Sequence, residues 1–403
     1  MSVLPTDRSR IADLLVLLGF VAVLTSPFPS IPRFVTYVLA LLVIATPALW
    51  QAVSGSRMAW CGAGLIFYLV LTILWSDSSE ARQTFRILVR AVVLCCFMLA
   101  FADTVGRGLV HDRIGRWFAL VGGVVALASI ATYLIDSPPG DRLRGLGTVP
   151  NPVTTAQAYT AVTLFALHWA HRTGSSRELT LALASMLAAT VTVFLSGSRS
   201  AWIALPAGFI AYLLSGRGWS ASRFALSLAT SVTALVIMLL MLVVNESTYD
   251  IVLPRGDSYR LDIWSVVLAE FESGGIWFGH GILMEDDVRT VGLTFRHAHN
   301  MFISVLRHGG VVGCAIFGAT IVGMALCLLK RLDHPDARLA IALLVAGLLF
   351  SLFGGRMLID SVGVNWWLFW LPVATCIGLT SQLSRLEHGD TNTSPMIRSP
   401  RHR

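Results

Sequence analysis

Residues 297–313 read HAHNMFISVLRHGGVVG, and the reading of the whole chain turns on this stretch. It sets three imidazoles (His297, His299, His308) and Arg307, with Arg296 just ahead, against apolar side chains that continue to Leu329. In a soluble protein such a cluster is ordinary surface. Here the apolar run is as long as a bilayer-crossing helix, which needs about 20 residues. Ionisable groups at a membrane boundary are costly unless they have work to do.

The composition around the stretch agrees. Of 403 residues 55% are apolar and only 13% charged, roughly half the charged share of a soluble domain, and mean hydropathy is +0.71. Apolar stretches of spanning length fall near 11–28, 33–51, 58–75, 86–103, 117–135, 155–171, 179–197, 200–216, 224–245, 300–329, 337–354 and 363–381. The pattern predicts an all-α polytopic membrane protein of about twelve helices, residues 1–386, with a disordered cytoplasmic tail over 387–403. The first apolar stretch is long enough to remain as an anchor, so no cleaved signal peptide is expected. Lys330 is the only lysine, and the net charge of +7 is almost all arginine. The arginines are scattered between spans and form no continuous stripe, which argues against nucleic acid and for loop retention on the cytoplasmic side. Cys61, Cys95, Cys96, Cys314, Cys327 and Cys376 lie in or beside apolar runs without metal-type spacing, so neither a metal nor a disulfide is expected.

Alternate loops divide the basic residues unequally. One set (Arg8, Arg10, Arg57, Arg107, Arg113, Arg116, Arg172, Arg177, Arg217, Arg223, Lys330, Arg331, Arg338, Arg385, Arg398, Arg401 and Arg403) holds seventeen of the thirty, in shorter loops. Both termini are therefore predicted cytoplasmic, in a bacterial inner membrane. The opposite side carries one long loop, about 246–299, between the ninth and tenth spans. It contains SYRLDIWSVVLAEF, which puts Arg260 and Trp264 one helical turn apart. A glycine-rich GGIWFGHG follows, then Glu285, Asp286 and Asp287. Loops of this length are usually functional.

Within the opening stretch the order is His299, Asn300, nine residues, Gly310, two residues, Gly313. That order resembles the signature of the O-antigen ligase and O-antigen polymerase superfamily of bacterial envelope membrane proteins. The resemblance implies glycan transfer from undecaprenyl diphosphate on the periplasmic face, with lipid A–core or another glycolipid as acceptor and membrane lipids around it. The family's core site is an arginine in a Ser-Arg element, one in Arg-x-x-x-Trp, and the signature histidine. By motif these fall on Arg199 in SGSRSAW, Arg260 and His299. The loop around Gly145 to Asn151, RGLGTVPNP, is similar to a family element that precedes the next span.

The chemistry fits these residue types. A diphosphate leaving group calls for planar guanidinium forks, and Arg142 and Arg144 in PPGDRLRG and Arg356 in FGGRMLID are further candidates. An imidazole with pKa near neutrality suits removal of the acceptor's hydroxyl proton, and direct attack at the anomeric carbon inverts it. Asn300 is a candidate to orient the histidine or the acceptor hydroxyl. His280, between Gly279 and Gly281, is the rival base; Arg260 has Asp257 and Glu270 as sequence-near carboxylates. Arginines carry the neutralisation in this scheme, so no metal or cofactor is called for. Trp366 and Trp367 read as interfacial anchors, and Gly310 and Gly313 as points of close helix approach. Arg82, Arg86 and Arg90 have Asp77 and Glu80 as possible partners. A polymerase joining lipid-linked repeat units shares all of this. A lipid-linked glycan transporter fits less well, because the ionisable groups crowd one surface and no inverted repeat is evident.

Overall fold

The computed structural model describes residues 6–76, 80–108, 110–138, 141–216, 259–284, 287–290, 292–295 and 297–387. The ninth apolar stretch, the start of the long loop including Asp257, and Asp77, Arg217, Arg223, Glu285, Asp286 and Arg296 lie outside the described residues, as does the tail from His388. Eleven of the predicted stretches coincide with helices: α1 (Thr6–Thr25), α2 (Ser30–Ile44) with the short α3 (Pro47–Val53), α4 (Arg57–Leu71), α5 (Ala81–Gly106), α6 (Arg116–Asp136), α7 (Pro152–Arg172), α8 (Ser176–Leu195), α9 (Arg199–Leu214), then, past α10 (Arg260–Ala269) in the long loop, α11 (Met301–Leu329), α12 (Pro335–Phe353) and α13 (Leu371–Glu387). Among the described residues, six helical segments are long and apolar enough to cross a membrane by length and composition. A two-stranded antiparallel ribbon, β1 (Val288–Thr290) with β2 (Leu293–Phe295), sits just ahead of α11.

Sequence sets the helix starts. Asn151 accepts from Val153 N–H with Pro152 at the first helical position, and His334 accepts from Asp336 N–H ahead of Pro335. Helix α7 is buried from Thr155 to Ala170. It lies in the middle of the bundle against α6, α8, α9 and α12. It therefore carries threonines whose hydroxyls bond within the protein, such as Thr163 to Tyr159 O at 2.8 Å, in place of lipid-facing leucines. Trp366 and Trp367 are 1% and 0% exposed. They are core residues packed on Phe97 and Phe20, not the interfacial anchors expected.

The helices alternate in direction, so the bundle has two distinct ends. At one end Thr148 N–H donates to Val23 O at 3.0 Å, Leu143 N–H to Leu195 O at 3.0 Å, and Ile282 N–H to Thr72 Oγ1 at 2.9 Å. At the other, Arg107 grips Asp13 through both terminal nitrogens at 2.8 and 2.6 Å, Arg116 meets Glu178 at 2.8 Å, and Ser56 meets Thr380 at 2.7 Å. Arg8, Arg107 and Arg116, described members of the basic-rich loop set, lie at this second end.

Helix α11 is broken. Gly310 has φ +63° and ψ −164°, outside the helical region and open only to glycine at low cost. The GGIWFGHG segment fills the break: His280 and Gly281 N–H donate to Arg307 O and His308 O at 2.8 and 3.0 Å, and Val311 and Val312 N–H donate to Ile276 O and Trp277 O at 2.8 and 3.1 Å. The backbone groups freed by the break are thus satisfied, as a membrane requires. From Val311 to Leu329 the helix alone spans about 28 Å at about 1.5 Å per residue, close to the roughly 30 Å hydrocarbon core. The expected span 300–329 is therefore a crossing helix plus a short half-helix above it. Gly310 admits the GGIWFGHG backbone instead of a neighbouring helix. Gly313 keeps the expected packing role, since a side chain there meets the Tyr68 ring on α4.

Candidate active site

A cavity of about 570 Å³ opens at the first end of the bundle. Its walls come from Pro29 and the first turn of α2 (Pro32, Arg33), from Thr148 to Gln157, from Arg260, His297 and His299, and from the segment after α12, Gly354 to Asn365. Four helices start at this cavity: α2, α7, α10 and α11. Each helix N-terminus carries about half a positive charge, so their convergence favours an anion even before side chains are counted. Among the described lining residues, Arg33, Arg260 and Arg356 add three guanidiniums against one carboxylate, Asp360.

His299 and Arg260 are held next to the starts of α11 and α10. Among the described residues, the only non-glycine residues with positive φ are His299 (+52°) and Tyr259 (+60°), the latter immediately before Arg260. Strained backbone of this kind gathers at functional sites. The Arg260 fork is oriented by Phe353, whose carbonyl accepts from Nη2 at 3.1 Å and whose ring lies 5.5 Å from the guanidinium carbon. His299 N–H donates to His297 Nδ1 at 3.2 Å, and the two rings stand 3.9 Å apart. Burial, then the neighbouring His297 and Arg260, push the His299 imidazole down to about 4. It is neutral at physiological pH and able to accept a proton, but a weaker base than the near-neutral imidazole expected.

The other expected site residues divide. Arg356 lines the cavity and is exposed to it. Asn300 does not line it: its Oδ1 caps α11, accepting from Phe302 and Ile303 N–H at 2.9 and 3.2 Å. Asn300 thus positions the helix that follows His299, where an orienter of histidine or acceptor was expected. Arg142 straps its loop to the turn ahead of α9, Nε to Ser196 O at 2.7 Å. Arg144 is largely exposed beside Asp141 at 3.8 Å; neither lines the cavity. Arg199 is exposed at the start of α9, at the cavity end but outside the lining. His280 lies in the segment that fills the α11 break, against the Phe271 ring, and is remote from the lining. Glu270 pairs with Arg307, not Arg260, and Arg90 pairs with Asp360 at 3.4 Å.

Sequence reasoning missed Arg33, Gln157 and Asn365. Arg33 had a usable signal: an arginine beside two prolines at the entry of a span, on the side where basic residues are scarce. Gln157 and Asn365 are isolated amides in apolar segments, and only the packing brings them to the cavity.

The fold and the cavity define a polytopic helical membrane protein with a cationic, histidine-bearing pocket at one end. Residues 184–318, which include Arg199, Arg260, His299 and the α11 break, match the O-antigen ligase family model. The chain is also 27% identical over 398 residues to an O-antigen ligase of Pseudomonas aeruginosa, covering 95% of each. Both matches support the resemblance to the O-antigen ligase and polymerase superfamily.

Proposed function

We propose that the chain is an O-antigen ligase: an inverting, metal-independent transferase that moves a glycan from undecaprenyl diphosphate to a sugar hydroxyl of lipid A–core. The carrying observation is the convergence of four helix N-termini and three guanidiniums on the cavity that holds His299. Its excess of positive charge suits a diphosphate, and guanidinium forks match the oxygens of each phosphate. The acceptor O–H gives its proton to the neutral His299 imidazole as its oxygen bonds to the anomeric carbon. The bond from that carbon to the diphosphate oxygen breaks, and the electron pair leaves with the diphosphate. Arg260, with Arg33 and Arg356, stabilises the charge that grows there, as preorganised cations do. Arg199 supplies further positive potential at the cavity mouth. Arg8, Arg107 and Arg116 of the basic-rich loop set lie at the opposite end, which supports a periplasmic cavity and cytoplasmic termini.

The test is reconstitution of the purified protein with lipid-linked glycan and, separately, lipid A–core and a second lipid-linked repeat unit as acceptors. Transfer to lipid A–core, unchanged by EDTA, is the expected result. Extension of the lipid-linked unit alone would make the protein a polymerase. Loss of activity in EDTA restored by a divalent ion would replace the arginine scheme with a metal.

A further inference from the structure

The long-loop helix α10 and the half-helix Met301–Gly309 lie side by side and parallel. The Trp264 indole N–H donates to Ala298 O at 3.0 Å, one residue before His299. Further along, Arg307 Nε and Nη2 meet the two oxygens of Glu270 at 2.8 Å each. Between these ties Ile263 and Val267 bury against Ala298, with Trp264 and Ile303 packed on the cluster. Arg260 and His299 are thus at the same end of two short helices, and Glu270 and Arg307 at the other. The Arg307 side chain is only 4% exposed. A two-point ion pair of this kind fixes direction as well as distance.

We infer that Glu270, Arg307 and Trp264 are positioning residues that set His299 against Arg260, so that the imidazole meets the acceptor hydroxyl in line with the clamped diphosphate. The inference rests on the reading of His299 as the base. The Arg-x-x-x-Trp spacing then has a physical reason: one turn after the guanidinium, the indole ties the helix to the backbone that carries the histidine. The α11 break completes the frame. His280 N–H binds the carbonyl of Arg307 itself, so the ion pair, the half-helix and the filled break move as one piece.

Arg260 is also held by Phe353, so loosening the frame leaves the clamp on the donor while misplacing the base. Glu270→Gln, Arg307→Lys and Trp264→Phe should each lower kcat, by up to the roughly 10²-fold that an ångström of misplacement costs. The donor KM should change far less. Trp264→Phe keeps the aromatic packing and strands no buried charge, so it stays informative if the ion-pair variants fail to insert. A second readout is independent of transfer: carbethoxylation of His299 by diethylpyrocarbonate, followed by peptide mass spectrometry, should be faster in every variant. Variants that accumulate normally with wild-type kcat and wild-type His299 reactivity overturn the inference. A wild type that transfers nothing overturns the proposed function instead, and the reactivity measurement still judges the frame.

Discussion

The two ends of the bundle treat arginine differently. Away from the cavity, Arg107 meets Asp13 and Asp103 and Arg116 meets Glu178, while Arg8, Arg331 and Arg338 donate to backbone carbonyls. At the cavity end the contacts described for Arg33, Arg142 and Arg260 are with carbonyl oxygens of Pro29, Ser196 and Phe353, at 2.7, 2.7 and 3.1 Å. A carboxylate cancels the charge it holds. A neutral carbonyl orients a guanidinium without itself cancelling the charge. At the cavity end Arg90 with Asp360, Arg144 with Asp141 and Arg307 with Glu270 are paired as well. The end away from the cavity thus holds a buried ion-pair network around Arg107, and the cavity end holds the guanidiniums that line the pocket.

The sharpest way to break that contrast is at the base. His299→Ala should lower initial transfer rates by about 10²–10⁴-fold, the usual loss of a general base, with donor binding retained. Near-normal turnover would remove His299 from the mechanism. At the opposite end, Arg107→Ala should cost about 3–5 kcal/mol, typical of stranding a buried carboxylate, read as lower thermal stability in detergent. The kcat of the folded remainder should be unchanged; a specific kcat defect would mean that the ends are not functionally separate.

Within the cavity end, lining should matter more than charge. Arg33→Gln should raise donor KM about ten- to a hundredfold, since a charged hydrogen bond is worth about 1.5–3 kcal/mol and tenfold is about 1.4 kcal/mol. Arg199→Lys, outside the lining, should leave donor KM close to wild type. The reverse ranking would place the diphosphate nearer α9. The smallest effect is in pH. Because His299 is held down to about 4, the acid limb of kcat/KM for donor should fall only as pH drops through that value. A bound diphosphate favours the imidazolium, so the limb of kcat at saturating donor should lie higher. Coincident limbs would show that donor and imidazole do not sense each other.

The helical class, eleven of the stretches and the pairing of Arg260 with His299 were legible in the sequence. Apolar run length and a fixed-spacing motif are local properties. The loop around Gly145 to Asn151 was legible only as similar to a family element; its place in the cavity wall came from the fold. What local pattern could not reveal was which polar groups face a common space. Arg33, Gln157 and Asp360 come from segments far apart in sequence, and their convergence depends on helix directions and packing. For the same reason Asn300, Arg142 and His280, plausible by chemistry, are occupied with a cap, a strap and a filled break.

The motif shows the division most clearly. Its spacing, His-Asn to Gly-x-x-Gly, is fixed by the chain, because a half-helix of set length must separate the histidine from a residue able to adopt positive φ. That the glycine opens a helix at the membrane boundary, that GGIWFGHG fills the opening, and that Glu270 steers Arg307 are consequences of tertiary structure. Backbone groups freed at a break must find partners, and only the fold brings those partners within reach.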